Sequence, residues 1–353
     1  MKKVLFLLCI LTFMMVITAC SSNEQDEGSE TEGKEDILKI YTTLYAWEAF
    51  AEKIGGEYAE VENLVPAGAD VHSFEPTAQT LVDVAEADAF IYNGAGMDGF
   101  ADAINETAEE EGTASIKVTE DMALQEFTGH DHEAGEEKHE ENSSENEDEH
   151  NHAEEEEAHE HGEGESHEEE DHAHSDQDPH VWLDPLLAAE GAEKIKNEFI
   201  ELMPEHKEDF EENYAELQND LNELDEEFTA MAESAEKDTF LVSHAGYGYW
   251  EDRYGINQIG ISGLSPNNEP SQKDLQSIIA LAEENNLNYV MFEQNVSSKV
   301  AEVVQEEAGA EALSLHNLES LTEKDIESKE DYFSIMRSNI ENLKTALSEG
   351  EQS

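Results

Sequence analysis

The chain has 353 residues with 88 acidic against 18 basic side chains, and its formal net charge is −70 at pH 7. A surface this acidic repels nucleic acid and anionic membranes, so it excludes binding to either through charge, while it attracts cations. The length allows two domains of ordinary size, each large enough to bury a core.

The first residues are typical of an exported lipoprotein. Two lysines precede an apolar run at 4–16 that is too short to span a membrane comfortably, and Ile-Thr-Ala-Cys follows at 17–20. These four residues match a bacterial lipobox, in which Cys20 is lipidated after cleavage. We therefore predict a lipoprotein signal peptide at 1–19 and a flexible tether at 20–36. An ordinary signal peptide with a chance cysteine is the alternative.

Strands and helices alternate after the tether. Runs rich in β-branched and aromatic residues predict strands at 38–43, 59–65, 89–92 and 115–118. Helical patterns between them predict helices at 45–55, 77–86 and 99–110. Such alternation implies a parallel sheet with helices on both faces. We assign residues 37–128, together with 178–203, to an N-terminal α/β lobe.

An acidic, histidine-rich segment interrupts this lobe at 129–177. It has almost no apolar residues to bury, so we expect a disordered loop. Ten of the 15 histidines lie in it, and neutral imidazole is a favoured ligand of zinc, copper and nickel. We predict an auxiliary metal-binding loop; a solvated acidic loop without a role is the alternative. Its histidines are His130, His132, His139, His150, His152, His159, His161, His167, His172 and His174.

A long amphipathic helix is predicted at 204–236. Apolar residues recur there at alternating steps of four and three, which places them on one face of a helix. About 30 residues at 1.5 Å each span roughly 45 Å, enough to run along two lobes. A coiled-coil dimer seam is the alternative, but about three heptads are few for one, so we expect a monomer. The stripe consists of Phe210, Tyr214, Leu217, Leu221, Leu224, Phe228 and Met231.

A second alternating series at 237–350 predicts a C-terminal lobe. The predicted strands lie at 239–243, 258–261, 289–292 and 312–315, and the helices at 247–254, 271–286, 298–308 and 331–347. The predicted fold class is therefore α/β, with two lobes that each have a parallel sheet flanked by helices, joined by one long rigid helix.

Four predicted loops carry side chains that can bind a metal ion. They lie at 66–76, 178–185, 243–247 and 315–319, and ligands of open α/β sheets bind outside the carboxyl ends of the strands. The loops read Pro-Ala-Gly-Ala-Asp-Val-His-Ser-Phe-Glu-Pro, Asp-Pro-His-Val-Trp-Leu-Asp-Pro, Ser-His-Ala-Gly-Tyr and Leu-His-Asn-Leu-Glu. The sequence contains no zincin motif, no nucleophile elbow and no complete dinucleotide fingerprint, so we do not expect an enzyme.

The order of these motifs, the histidine-rich insertion before Asp-Pro-His and the lipobox resemble the zinc-binding lipoproteins of bacterial ABC importers, the ZnuA/AdcA-type receptors of cluster A-I. The resemblance covers nearly the whole chain from about Leu38. It implies one metal ion between the lobes, held by His72, His180 and His244, with the carboxylate of Glu319 completing the site. Three imidazoles and one carboxylate form a four-coordinate site that suits Zn²⁺.

The last motif departs from the family pattern. This chain has His316-Asn317 where the family usually has Asn-Pro, which affects the shape of the loop that carries Glu319. Glu293 is the carboxylate that competes with Glu319 for the place of the fourth ligand. Alternatively, Glu293 supports a ligand from behind or bridges the lobes. We expect His316 and His206 to face solvent.

The resemblance further implies an extracytoplasmic zinc receptor, anchored by lipid on Cys20 to the outer face of the cytoplasmic membrane, that delivers Zn²⁺ to an ABC permease and its ATPase. Related manganese receptors have a carboxylate at the position of His244, and a manganese (Mn²⁺) or broad divalent-metal receptor is one alternative. A metal-buffering or adhesion lipoprotein that works without a transporter is the other. We expect Trp182 and Tyr247 to form apolar walls that keep water from the site.

Overall fold

The structure is a computed structural model that describes residues 37–127, 177–294 and 299–348. The predicted signal peptide, Cys20, the tether and the ten histidines of the acidic loop lie outside these residues. None of the described helices combines the length and the apolar character needed to cross a membrane.

The first lobe is built around a parallel sheet with helices between its strands. Its elements are β1 Leu38–Thr42, α1 Tyr45–Gly55, β2 Ala59–Asn63, α2 Ala78–Ala85, β3 Ala89–Tyr92, α3 Ala101–Glu111 and β4 Ala114–Lys117. The strand order is β2-β1-β3-β4. All four residues of β3 are buried, as its continuous apolar sequence requires of a strand covered on both faces. The predicted elements of this lobe are confirmed, with small differences at their ends.

Helix α4, Pro185–Leu202, follows the acidic segment and packs against α1 and β4 of the first lobe. No helix is predicted there, yet the sequence carries a start signal. Asp184 precedes the helix and accepts the backbone N–H groups of Leu186 and Leu187, and Pro185 occupies the first turn, where its missing N–H costs nothing. The helix then buries a stripe that includes Ala188, Ala192, Ile195 and Phe199.

The connecting helix, α5, spans Lys207–Ser234. A 3-10 turn at Pro204–His206 precedes it, so the α-helix begins three residues after the predicted start. All seven residues of the predicted apolar stripe are buried, and the helix packs against α1 and α4. The amphipathic pattern therefore identified the buried face correctly.

The second lobe repeats the architecture of the first. Its elements are β5 Thr239–His244, α6 Gly248–Tyr254, β6 Asn257–Ser262, α7 Gln272–Glu284, β7 Tyr289–Phe292, α8 Lys299–Ala308, β8 Glu311–Ser314, α9 Glu323–Ser328 and α10 Tyr332–Ala346. The strands are parallel, in the order β6-β5-β7-β8. Among the helices described in this lobe, all but α9 are predicted from the sequence. Helix α9 starts at a capping box formed by Thr322 and Asp325. The predicted two-lobed α/β fold class is confirmed.

The largest apolar core crosses from one lobe to the other. It joins the first sheet and α1 to α4 and α5, and continues into side chains of the second lobe such as Trp250 and Tyr332. Arg253 Nε of α6 also donates to Asp184 Oδ2 at the start of α4. Because close-packed interiors resist deformation, a core shared in this way limits how far the lobes can move apart.

Candidate metal centre

The four predicted ligands lie together in one cleft. One ligand atom from each of His72, His180, His244 and Glu319 lies within 4.8 Å of the others. The last three are buried, whereas the side chain of His72 is 8% exposed. They come from the loops after β2 and β8, from the end of β5 and from the segment before α4. The carboxyl ends of both sheets therefore supply the cluster, as expected for open α/β folds.

A short turn after β2 holds His72. The chain makes a 3-10 turn at Val71–Ser73, and Asp70 Oδ1 accepts the backbone N–H of His72 at 3.0 Å. Asp70 also accepts the hydroxyl of Ser73 at 2.8 Å. These bonds satisfy the turn's donors and fix the backbone of His72. As a result, His72 Nε2 lies 3.6 Å from Glu319 Oε1.

A carboxylate behind His180 sets the orientation of its ring. Asp178 Oδ1 accepts both the backbone N–H of His180, at 3.0 Å, and the ring Nδ1–H, at 2.8 Å. Asn93 Nδ2 donates to the carbonyl of Pro179 at 3.0 Å and so holds the intervening residue. Because Nδ1 is bonded to Asp178, the His180 ring directs its Nε2 into the cleft.

Glu293 has the same role behind His244. Its Oε2 lies 2.5 Å from His244 Nδ1 and accepts the Ser243 hydroxyl at 2.5 Å, while its Oε1 accepts the Tyr247 hydroxyl at 3.0 Å. Glu293 therefore uses both oxygens to bind neighbouring donors. Of the two roles predicted for Glu293, the structure places it behind a predicted ligand, and Glu319 is the carboxylate in the cluster.

The rings of His180 and His244 face each other across the cleft. Their Nε2 atoms are 3.3 Å apart. A hydrogen bond over this distance requires a proton on one of the two nitrogens. Burial lowers the pKa of His244, but the charge and hydrogen bond of Glu293 outweigh burial and raise that pKa to about 9. A zinc ion bound here takes the place of that proton.

Glu319 is held by the backbone of the loop after β8. Leu318 adopts φ +57°, Asn317 Oδ1 accepts the N–H of Glu319 at 3.2 Å, and Tyr45 N–H donates to the Glu319 carbonyl at 2.9 Å. Burial acts to raise the pKa of the Glu319 carboxyl, but the neighbouring imidazoles, His72 first and then His244 and His180, hold that pKa below its usual value. The carboxyl is therefore ionised at neutral pH.

Two ligand atoms of the cluster, His72 Nε2 and Glu319 Oε1, have no hydrogen-bond partner within the described part of the chain. Buried polar atoms are nearly always hydrogen-bonded, and leaving one unpaired costs about 1–3 kcal/mol. A cation between these atoms satisfies both. Three imidazole nitrogens and one carboxylate oxygen are a donor set that zinc accepts in tetrahedral geometry, so the residues fit this metal.

Large rings and a glycine shape the cleft. The ring of Trp182 lies 5.2 Å from that of His180, the ring of Tyr247 lies 6.3 Å from that of His244, and both rings are fully buried. Each ring therefore lies beside one of the predicted ligands. A Cβ on Gly246 would lie 2.7 Å from His244 Nε2, so no larger residue fits there without displacing the ring. The sequence contained no signal for this contact.

The prediction that His316 faces solvent is wrong, because the residue is only 3% exposed. Its Nδ1 accepts the N–H of Leu318 at 2.9 Å, and Asn339 binds its backbone through two hydrogen bonds of 2.8 Å. His206 is partly exposed, as its side chain is 21% accessible and stacks on Tyr58. Exposure could not be read from the sequence, since both residues lie in short segments without an apolar period.

One protein-family model matches residues 40–346; it is described as the periplasmic component A of a zinc-uptake complex, ZnuA. The chain belongs to this family. The resemblance stated from the motifs is thereby confirmed, and the match covers both lobes and all four residues of the cluster.

Two curated relatives show how far the likeness to other members of the ZnuA family extends. The zinc-binding protein AdcA of Streptococcus pyogenes serotype M3 is 33% identical over 95% of this chain, and the chain spans 61% of that relative's length. The high-affinity zinc uptake system protein ZnuA of Bacillus subtilis is 31% identical, and 98% of each chain is covered.

A solved structure of the ZnuA family has the same fold. The crystal structure of the Zn(II)-bound ZnuA-like domain of Streptococcus pneumoniae AdcA matches with a TM-score of 0.67 and 29% identity, and the match covers 89% of this chain and 100% of that one. The two-lobed architecture is therefore that of a family member solved with zinc.

Proposed function

We propose that this chain is an extracytoplasmic zinc receptor, which binds Zn²⁺ between its lobes and delivers it to an ABC permease and its ATPase. The observation that carries the proposal is the convergence of His72, His180, His244 and Glu319 from four separate segments. Membership of a family described as a component of a zinc-uptake complex supports the same function.

The donor set favours zinc over manganese. Manganese prefers shells rich in oxygen, whereas three of the four candidate ligands here are imidazole nitrogens. Four protein ligands also leave no open position for a water that a catalytic zinc site would activate. The arrangement therefore suits capture and transfer of an ion and not hydrolysis.

The sequence supports further parts of the proposal. The lipobox at 17–20 favours attachment through Cys20 to the outer face of the cytoplasmic membrane. The ten histidines between His130 and His174 are proposed to gather ions for the cleft at lower affinity. We propose that the protein is a monomer, because the apolar stripe of α5 is buried within the chain. Deletion of residues 130–176 is expected to leave one tight zinc site.

Zinc titration against a competing chelator tests the cluster directly. We expect the double variant His72→Ala/His180→Ala to bind zinc more than about a hundredfold more weakly than the wild type, since loss of one outer partner already costs 10- to 100-fold. His206→Ala is the matched control, because His206 stacks on Tyr58 outside the cluster. Equal affinity of the double variant and the wild type would refute the proposed ligands.

Competition between the two metals tests selectivity. We expect zinc to displace manganese completely from the wild type at equal concentration, because His244 supplies a third nitrogen to the site. Retention of manganese in the presence of equimolar zinc would instead identify a manganese or broad-metal receptor.

A further inference from the structure

His316 is buried in the loop that carries Glu319, three residues before that carboxylate. Two hydrogen bonds from Asn339 hold the backbone of His316. Asn339 Nδ2 donates to the His316 carbonyl, and Asn339 Oδ1 accepts the His316 N–H. The backbone is therefore anchored without help from the imidazole. The imidazole makes separate contacts through its two ring nitrogens.

One ring nitrogen of His316 binds the backbone of the same loop. Nδ1 accepts the N–H of Leu318 at 2.9 Å, which requires a neutral ring with its proton on Nε2. Nε2 lies 3.4 Å from Asp325 Oδ2, at the start of α9. Burial lowers the pKa of His316 despite the opposing charges of Asp325, Glu319 and Glu293, so the ring is neutral as this hydrogen bond requires.

The N–H that His316 binds belongs to a strained residue. Leu318 adopts φ +57°, a left-handed conformation that is unfavourable for an L-residue other than glycine. The side chain of Leu318 is fully buried, and Trp182 Nε1 donates to the carbonyl of Asn317 at 2.7 Å on the preceding peptide. The imidazole acceptor and these contacts together maintain the turn. Glu319 is the next residue, so the direction of its carboxylate depends on this turn.

We propose that His316 is a positioning residue for the metal site, which holds the turn at Leu318 and thereby directs the Glu319 carboxylate into the cleft. The inference rests on the proposed zinc function and adds a residue that binds no ion. Its imidazole acts as an asparagine side chain does in an Asx turn, by accepting the N–H two residues later.

Substitutions at His316 separate this role from simple packing. His316→Leu fills the space without an acceptor, and we expect it to weaken zinc binding by about 10- to 100-fold, as for other partners that orient ligands. In His316→Asn the amide Oδ1 takes the position of the imidazole Nδ1 and can accept the same N–H, so we expect zinc affinity close to that of the wild type. His206→Leu is the matched control, because His206 also lies 3.4 Å from an aspartate, Asp209, but outside the cleft.

A double-mutant cycle measures the coupling between His316 and Glu319 in zinc affinity, which a role in packing alone would not produce. If His316 acts through Glu319, His316→Leu lowers affinity in the wild type but causes no further loss in Glu319→Ala. Affinity is measured on the full chain with a chelator strong enough to remove weakly held zinc. An equal loss in both backgrounds, or wild-type affinity in His316→Leu, would overturn the inference.

Thermal unfolding establishes that each variant is folded at the assay temperature. If His316→Leu unfolds, His316→Phe provides a ring without an acceptor. If both unfold, His316→Gln is compared with His316→Asn, because only the shorter amide places its oxygen at the Nδ1 position; equal affinities then overturn the inference. If Glu319→Ala binds zinc as tightly as the wild type, the proposed ligand set is overturned as well. If Glu319→Ala loses affinity and His316→Leu does not, only the role of His316 is overturned.

Discussion

Glu293 and Asp178 each hydrogen-bond the Nδ1 atom of a histidine, and so direct the Nε2 atom of that ring into the cleft. Glu293 is 49 residues from His244 along the chain, whereas Asp178 is two residues from His180. The orienting carboxylates are therefore as much a part of the site as the ligands, although neither belongs to the cluster of four.

Substitution of Glu293 by glutamine tests the first of these contacts. Ser243, His244 and Tyr247 all donate to Glu293, and an amide offers one acceptor oxygen where the carboxylate offers two. We expect Glu293→Gln to lower zinc affinity by about 10- to 100-fold in chelator competition. Glu302→Gln, on the exposed face of α8, is the control. Unchanged affinity in Glu293→Gln would show that the contact does not orient His244.

Gly246 allows a test of the close contact between its backbone and the His244 ring. A methyl group there would lie 2.7 Å from His244 Nε2 and 3.3 Å from His180 Cδ2, so Gly246→Ala displaces a predicted ligand. Gly99→Ala is the control, since its Cβ would meet nothing within 4 Å. We expect calorimetric titration to show weaker zinc binding in Gly246→Ala only. Equal binding by both variants would contradict the geometry of the cleft.

The candidate ligands could be predicted from the sequence, but their surroundings could not. His72, His180 and His244 each lie in a contiguous motif that ends a predicted strand or precedes a helix, so a local pattern identifies them. The space at Gly246 and the buried position of His316 depend on contacts between distant segments, which no local pattern contains.

Helix α5 shows what periodicity predicts at the scale of an element. Its seven apolar residues share one face, and that face is buried against both lobes. Helix α4 is missing from the sequence prediction although Asp184 and Pro185 mark its start. Four of its seven buried residues are alanine or glycine, which give a weak apolar signal. Strongly amphipathic elements were therefore predictable, and elements with small buried residues were not.

Truncation of one residue on α5 separates stability from binding. Leu221 is fully buried, and Leu221→Ala is expected to lower the free energy of unfolding by about 2–5 kcal/mol through lost burial and a cavity. Zinc affinity should remain unchanged at temperatures where the variant is folded, since the helix supplies no ligand. Glu216→Ala, on the exposed face, is the control in urea unfolding. A large loss of zinc affinity in folded Leu221→Ala would mean that α5 transmits strain to the cleft.

The loop after β8 ties the lobes together next to the cleft. Asn317 O accepts Trp182 Nε1–H at 2.7 Å, Glu319 O accepts the N–H of Tyr45 at 2.9 Å, and Leu321 O accepts the N–H of Gly68 at 2.8 Å. A segment of the second lobe is thus bonded to three segments of the first. These bonds were not predictable, because backbone groups carry no sequence signal of their partners.

At the scale of the whole molecule, the chain combines a strongly acidic composition with one cluster of imidazoles in the cleft. The net charge of −70 favours the approach of cations over a long range, although salt screens this attraction. The shared core holds the lobes close together, so we infer that release of the ion uses small movements of loops and not wide separation of the lobes.

The pH dependence of binding follows from the proton that zinc displaces. The pKa of His244 is raised to about 9, so the ring is protonated at neutral pH and zinc has to release that proton. Below that pKa, apparent affinity is expected to fall by about tenfold for each pH unit, and above it to level off. Chelator competition between pH 7 and pH 8.5 measures the slope, and affinity independent of pH in this range would contradict the assignment.

X-ray absorption at the zinc edge, on protein that lacks residues 130–176 and carries one equivalent of zinc, identifies the atoms that bind the ion. We expect three imidazole nitrogens and one carboxylate oxygen at about 2.0–2.2 Å, and loss of this pattern in His72→Ala/His180→Ala. A shell made mainly of oxygen, or a spectrum that the double substitution leaves unchanged, would contradict the claim that these segments bind one zinc ion between the lobes.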